Sequence, residues 1–245
     1  MDQRVRPFLE EAASELQDGP SPLGPEPPMS KPLRTSRKAP STAEIERRLA
    51  LLSAAFQEVA ERGFSSVTLE DIAERAGVSK GITLYYFESK EALFRELFQW
   101  LIQRIHQQMR EAADAPGDAV ARMNALIDVI FASPARNRAF YAAYMDFASL
   151  AIRRESFRKV NEAFFMGCRD IERPLIEEGM SEGVIPPQDP DRAVTCLRAI
   201  FDGLMLRWLA EEDPEGTFEA YRESCRRESL AILGIQHPNE EWRTA

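Results

Sequence analysis

Between Thr68 and Phe87 the chain reads TLEDIAERAGVSKGITLYYF, and the second half of that stretch holds residue types suited to gripping a nucleic-acid duplex. Lys80 offers a positive charge to a phosphate or to a guanine edge. Gly81, without a side chain, lets a partner backbone come close. Ile82 and Thr83 complete the first turn. Tyr85 and Tyr86 form an unusual pair on so short a segment. One hydroxyl can reach a phosphate while the rings lie against sugar or a thymine methyl. Thr68 in front and Lys90 behind are each placed for a phosphate, with a helix N-terminus to help. A plain helical hairpin explains the same residues without any ligand, since a glycine turn and two core tyrosines are ordinary features. On the pattern alone the two readings stand level.

The elements that must position these residues are legible. Thr68 caps a short helix over about Leu69 to Ala76, with Ile72 and small Ala73 facing inward. Gly77 supplies the left-handed backbone of a tight turn, and Val78 plugs the turn into the core. Ser79 caps a second short helix over Lys80 to Phe87, leaving its N-terminus outward as a groove-entering helix requires. Upstream, Ser41-x-x-Glu44 is a capping-box start. Ile45, Leu49, Leu52, Phe56 and Val59 follow as one apolar stripe, and Gly63 ends it. Downstream, Ser89 caps a long helix to about Ala113, with Leu93, Leu97, Leu101 and Ile105 on one side. Helices over 118–132, 135–151, 154–182, 189–211 and 215–233 complete the chain, and a short one is expected over 4–17. No alternating strand pattern or internal repeat occurs. The fold class is all-α, with roughly nine helices: an N-terminal three-helix head bearing a helix-turn-helix, joined by a long helix to a C-terminal helical bundle.

Composition narrows the chemistry. Cysteines 168, 196 and 225 are scattered, and there are only two histidines, at 106 and 237. Neither a zinc site nor a Ser/His/Asp triad is expected, and no phosphate-loop or GxGxxG motif appears. We expect no cofactor, no metal and no catalysis. Reduced thiols and the lack of a long apolar run point to the cytoplasm rather than a membrane. Net charge is −9, yet residues 30–43 are basic through Lys31, Arg34, Arg37 and Lys38. Residues 1–40 read as a flexible Pro-rich arm, the basic part of which could act as an auxiliary clamp. Met29 resembles a natural start, so residues 1–28 are a candidate extension.

Residues Ala54-Ala55, Gly63-Phe64, Val67-Thr68, Ile72-Ala73, Ala76 to Gly81, Leu84 to Phe87, Ser89 to Glu91 and Leu93 together resemble the N-terminal domain of the TetR family of regulators. The resemblance implies that 41–105 is a DNA-binding domain with its helix-turn-helix at 68–87. It implies that 106–236 is a regulatory and dimerisation domain, with a tail at 237–245. Positions expected to meet DNA are Thr68, Ser79, Lys80, Gly81, Ile82, Thr83, Tyr85, Tyr86 and Lys90. One departure is Leu84, where the family often has a base-contacting tyrosine; this shifts expected weight to Tyr85 and Tyr86. The implied partners are double-stranded DNA with a palindromic operator and a second copy bound through about 189–233; a largely apolar small-molecule effector is expected from the aromatic residues of the back half.

For that effector the candidate lining is Phe131, Phe140, Tyr141, Tyr144, Phe147, Phe164, Phe165 and Phe201, with polarity from Asn161, Cys168 or Arg169. Each ring also reads as ordinary core at helical spacing. Met205 and Trp208 are expected in the dimer interface. The alternative function is a helical scaffold that binds another protein, discriminated by salt-dependent binding to a palindromic fragment.

Overall fold

The computed structural model describes residues 41–235, and among these every regular element is helical. The arm at 1–40, its basic cluster and the tail at 237–245 lie outside the described residues. The helices are α1 (Thr42–Arg62), α2 (Leu69–Arg75), α3 (Lys80–Tyr86), α4 (Lys90–Ala113), α5 (Ala119–Ile130), α6 (Pro134–Arg153), α7 (Glu155–Ser181), α8 (Pro190–Leu209) and α9 (Pro214–Ile232), with a 3-10 turn at Phe64–Ser66. The all-α expectation holds, and helix ends fall within a residue or two of the sequence signals.

Local chemistry sets those ends. Ser41 and Glu44 form the expected capping box, and Thr68 forms a second one with Asp71. Asp189 and Asp213 cap α8 and α9, each followed directly by proline, whose fixed φ suits the first turn. Pro174 lies inside α7 without ending it.

The described residues form two compact units, 41–102 with 142–161 and 103–141 with 162–235. This differs from a single cut near 105, which kept all later residues together. The reason is aromatic packing. Phe147 stacks on Phe98 at 4.1 Å between centroids, and Phe94 meets Phe64 at 4.5 Å and Phe157 at 6.3 Å. Burying each such ring is worth roughly 1.5–3 kcal/mol. In the same unit Arg48 of α1 forms a two-pronged pair with Glu96 of α4, and its guanidinium lies 4.8 Å from the Phe87 ring centroid. The Phe64 N–H donates to Asp146 Oδ2 at 2.6 Å. These contacts hold α1, the end of α3 and α4 together around the reading motif.

In the second unit α8 and α9 pack side by side. Trp208 is fully buried, donates Nε1–H to the Pro214 carbonyl at 2.7 Å and meets Phe218 at 5.2 Å. Met205 is also fully buried, against Asn137. Both residues are therefore core of one protomer and not the interface surface expected of them, because the α8 stripe that carries them turns inward. The large apolar side chains left exposed on α8 and α9 are Leu206 and Ile232.

Candidate nucleic-acid interface

Gly77, at φ +68°, makes the turn between α2 and α3, and its neighbour Val78 donates N–H to the Ala73 carbonyl. Ile72 and Ala73 are buried as expected. Ser79 Oγ accepts the Ile82 N–H, which fixes the start of α3. Along α3, Thr83 and Phe87 lie four apart on the buried side. Helical geometry then places Gly81 and Tyr85 on the opposite, outward side, with Lys80 and Leu84 on one flank and Ile82 and Tyr86 on the other. Tyr85 is 64 % exposed, Leu84 48 % and Ile82 37 %. Tyr85 and Tyr86 rings meet edge to face at 5.1 Å. The outward face is thus aromatic and apolar, with Lys80 as its cation. Lys80 Nζ pairs with Glu70 at 3.1 Å, both well exposed, a contact a phosphate can displace cheaply.

Three expected contacts take a different place. Thr83 has no exposed surface, and its hydroxyl has no hydrogen-bond partner among the described residues; it faces the core because it shares a side with Phe87. Lys90 is half-buried and donates from Nζ to the carbonyls of Phe64 at 2.7 Å and Val67 at 2.8 Å, with the Phe64 ring centroid 4.2 Å away. Its charge closes the loop between α1 and α2 instead of standing free for a phosphate. Thr68 is exposed, but its hydroxyl donates to Asp71 Oδ2 at 2.6 Å. Those bonds from Thr68 hold the Asp71 carboxyl down to about 2, so a negative charge already occupies that helix start. Leu84, discounted in favour of the tyrosines, is exposed, less so than Tyr85 but more so than half-buried Tyr86. Its position one residue after buried Thr83 was the only signal for that, and it needed the helix register to read.

The residues proposed as effector lining are divided between the two units. Tyr144, Phe147 and Asn161 belong to the first unit, where the Tyr144 hydroxyl donates to Asn161 Oδ1 at 3.1 Å. Phe131 packs on Phe218, in the second unit. Arg169 is exposed and paired with Asp191. Phe140 and Phe165 lie in the second unit, edge to face with Tyr141 and tilted against Phe164 respectively.

Phe164, Cys168, Tyr141 and Phe201 instead share a buried polar centre that the sequence reading missed. Arg198 and Glu172 are 8 % and 1 % exposed. Arg198 Nη1 donates to Glu172 Oε1 at 3.3 Å and Nη2 to Asp202 Oδ1 at 3.4 Å. Its guanidinium lies 5.6 Å from the Phe164 centroid and 5.2 Å from that of Phe201. Burial pushes the Glu172 carboxyl up to about 7, against the pull of Arg198, and raises Asp202 as well. Burial alone would lower the Arg198 guanidinium; the acidic groups around it, Glu172 and Asp202 among them, outweigh that and raise it. Burial likewise pushes the Cys168 thiol up to about 12, so it is neutral. His106 Nε2–H donates to the Phe164 carbonyl at 3.0 Å, and burial lowers its proton affinity. A signal was present: Phe164, Cys168, Glu172 and Ile176 repeat every four residues, and Arg198 sits between Val194 and Phe201 in the apolar stripe of α8. A charge at a core register position is unusual unless paired. Among the described residues no cluster of His, Cys, Asp and Glu suits a metal, and no helix is long and apolar enough to cross a membrane.

A helix-turn-helix held on a three-helix head, followed by further long helices, defines a class of DNA-binding regulators. Residues 51–97 match the family described as bacterial regulatory proteins, tetR family, and residues 119–234 match BetI-type transcriptional repressor, C-terminal. The HTH-type transcriptional regulator BetI of Rhizobium meliloti (strain 1021) is 30 % identical over 171 residues, covering 70 % of this chain and 82 % of that protein. A transcriptional regulator from Saccharomonospora viridis, solved in complex with choline, superposes with a TM-score of 0.70 at 21 % identity, covering 76 % of this chain and 96 % of that one. A TetR regulator from Haloarcula marismortui gives 0.69 at 23 %, covering 78 % and 97 %. The chain belongs to the TetR family of transcriptional regulators, which are DNA-binding proteins and not enzymes.

Proposed function

We propose that this protein is a cytoplasmic, ligand-responsive repressor that binds a palindromic operator as a homodimer. The observation that carries the reading is the outward face of α3, where Gly81 and Tyr85 stand opposite the buried Thr83 and Phe87, flanked by Lys80, Leu84, Ile82 and Tyr86. A seven-residue helix offers few contacts. Two-fold symmetry doubles them and matches a palindrome. Leu206 and Ile232, exposed on α8 and α9, suit a surface between two copies. Control follows if the effector binds the second unit better in the state that does not fit DNA, with α4 shifting as it does so. α4 contributes residues to both units. The choline complex of the Saccharomonospora viridis relative supports effector binding in this fold without naming the effector here.

The test is gel-shift titration with fragments of the gene's own upstream region, across a salt series. Lys80→Ala combined with Tyr85→Ala abolishes binding while sedimentation still gives a dimer. Undiminished binding by that variant refutes the assigned face.

A further inference from the structure

We infer that the buried Arg198–Glu172 pair is the head-group subsite for the effector, and that it takes a carboxylate on an apolar body instead of a quaternary ammonium. This deepens the ligand-responsive reading and rests on it for its biological use.

The pair is poorly satisfied for its depth. Each of its ion contacts is a single long bond, at 3.3 and 3.4 Å. Arg198 Nε and Glu172 Oε2 are both buried and without a hydrogen-bond partner among the described residues. Structural ion pairs at such burial are held by short, multiple bonds, because the desolvation of both charges must be offset. Two orphaned atoms on adjacent side chains, one a donor, point to a third polar group that completes the set.

The chemistry of that group follows from its surroundings. The groups facing it are His106 of α4, Tyr141 of α6, Cys168 and Glu172 of α7, Arg198 and Asp202 of α8, and the buried thiol of Cys225 of α9. Cys168 is a neutral thiol, and His106 is neutral with Nε2–H already given to the Phe164 carbonyl. Arg198 is the one permanent cation of this set, and it already occupies the faces of Phe164 and Phe201. Aromatic faces are what a quaternary ammonium needs. Here such a ligand would have to stand beside a like charge or expel it. A carboxylate stands beside Asp202, whose charge Arg198 already pairs, and beside Glu172 in its protonated form. One of its oxygens accepts from Arg198 Nε–H. The other accepts from the protonated Glu172 Oε2–H, a form that burial makes accessible near neutral pH. Asp202 keeps its bond to Arg198 Nη2, and Phe164 and Phe201 remain as apolar walls. Gly167 also belongs to the design, since a Cβ there would lie 2.1 Å from His106 Cε1 and push the imidazole out of this packing.

The experiment uses the full-length chain without DNA and two sets of probes that share a body and differ in head group. They are octanoate, octan-1-ol and octyltrimethylammonium, and 3-phenylpropanoate with its alcohol and trimethylammonium counterparts. Binding is read by calorimetry and by the shift in thermal unfolding. At least one carboxylate should bind about tenfold or more tighter than its alcohol, since one charge-assisted contact is worth that much. Its ammonium counterpart should bind weaker still. Glu172→Gln keeps a donor at Oε2's position and should bind the carboxylate at least as well as the parent. Removing Arg198 alone strands the carboxyls of both Glu172 and Asp202, so Arg198→Met is made together with Glu172→Gln and Asp202→Asn; this triple variant should fold and bind acid and alcohol alike. The inference is overturned if no carboxylate binds, if an ammonium binds best, or if the triple variant keeps the preference for the acid. Operator release by some other compound would leave the repressor reading standing while this one falls. Carboxylate binding by a chain that ignores its upstream DNA would do the reverse.

Discussion

Replacing Lys90 by methionine separates two roles that the sequence leaves entangled. Met keeps the aliphatic stem and removes the ammonium. In the structure that ammonium donates to the Phe64 and Val67 carbonyls and lies over the Phe64 ring. A hydrogen bond from a charged donor contributes roughly 1.5–3 kcal/mol, so the pair gives roughly 3–6. The cation over the ring adds about 0.5–1 kcal/mol at a half-exposed site. Releasing the lysine side chain returns up to about 2 kcal/mol of rotamer entropy. With the entropy return taken in full, the net expectation is a loss of about 1.5–5 kcal/mol in unfolding free energy. Urea denaturation of the DNA-free protein reads it, with the slope against urea unchanged. Operator affinity, corrected for the folded fraction, is then followed against salt. A lysine that touches no phosphate leaves the slope of log affinity on log salt as it was. Removing a cation that does sit on a phosphate flattens that slope by about 0.9. A variant within about 0.5 kcal/mol of the parent in stability but with a flattened slope would refute the loop-closing role.

Thr83→Val removes a buried hydroxyl that has no partner among the described residues and keeps its shape; stability should stay level or rise by about 1 kcal/mol. Operator binding should persist, and its disappearance in a gel shift would restore Thr83 as a DNA-touching residue. Gly77→Ala meets no atom within 4 Å, so its penalty is the left-handed backbone alone, about 1 kcal/mol by denaturation, with Gly77→Asn less costly. Glu172 has a raised folded-state pKa, so its contribution to stability is full below its ordinary 4.5 and is lost as pH rises through about 7. Glu172→Gln should therefore flatten the decline across that window relative to the parent, measured as the difference between the two proteins. The difference matters because buried His106 acts in the opposite sense as pH falls. An unchanged difference from pH 4.5 to 7 would mean that Glu172 keeps an ordinary pKa when folded.

The nine helices among the described residues were readable because their signals are local. Ser41, Thr68 and Ser79 bond to backbone N–H groups three residues on, Gly77 tolerates a conformation others resist, and apolar residues recur every three or four positions. The reading motif was legible for the same reason, since the whole of it fits within one short stretch of continuous chain. What local pattern could not supply was the destination of each side chain across the fold. Lys90 and Thr68 carry the right chemistry for phosphate, but whether a charge is free depends on partners placed by other segments. For Lys90 those are Phe64 and Val67, set by the end of α1. Thr83 and Leu84 are neighbours in sequence and opposite in exposure, because Phe87 fixes which side of α3 is inward. Met205 and Trp208 read as an apolar face ready for a mate, yet α9 and α6 cover them first.

The sequence by itself determined the helical class, the helix-turn-helix and the regulator family, since propensity, capping and motif spacing act over short stretches. Only the tertiary structure decided that Phe147 and Phe157 join the N-terminal helices, that Lys90 ties a loop, and that Arg198 and Glu172 meet inside the second unit. Each of those depends on a contact between residues far apart in the chain, and burial then sets what charge each group can carry.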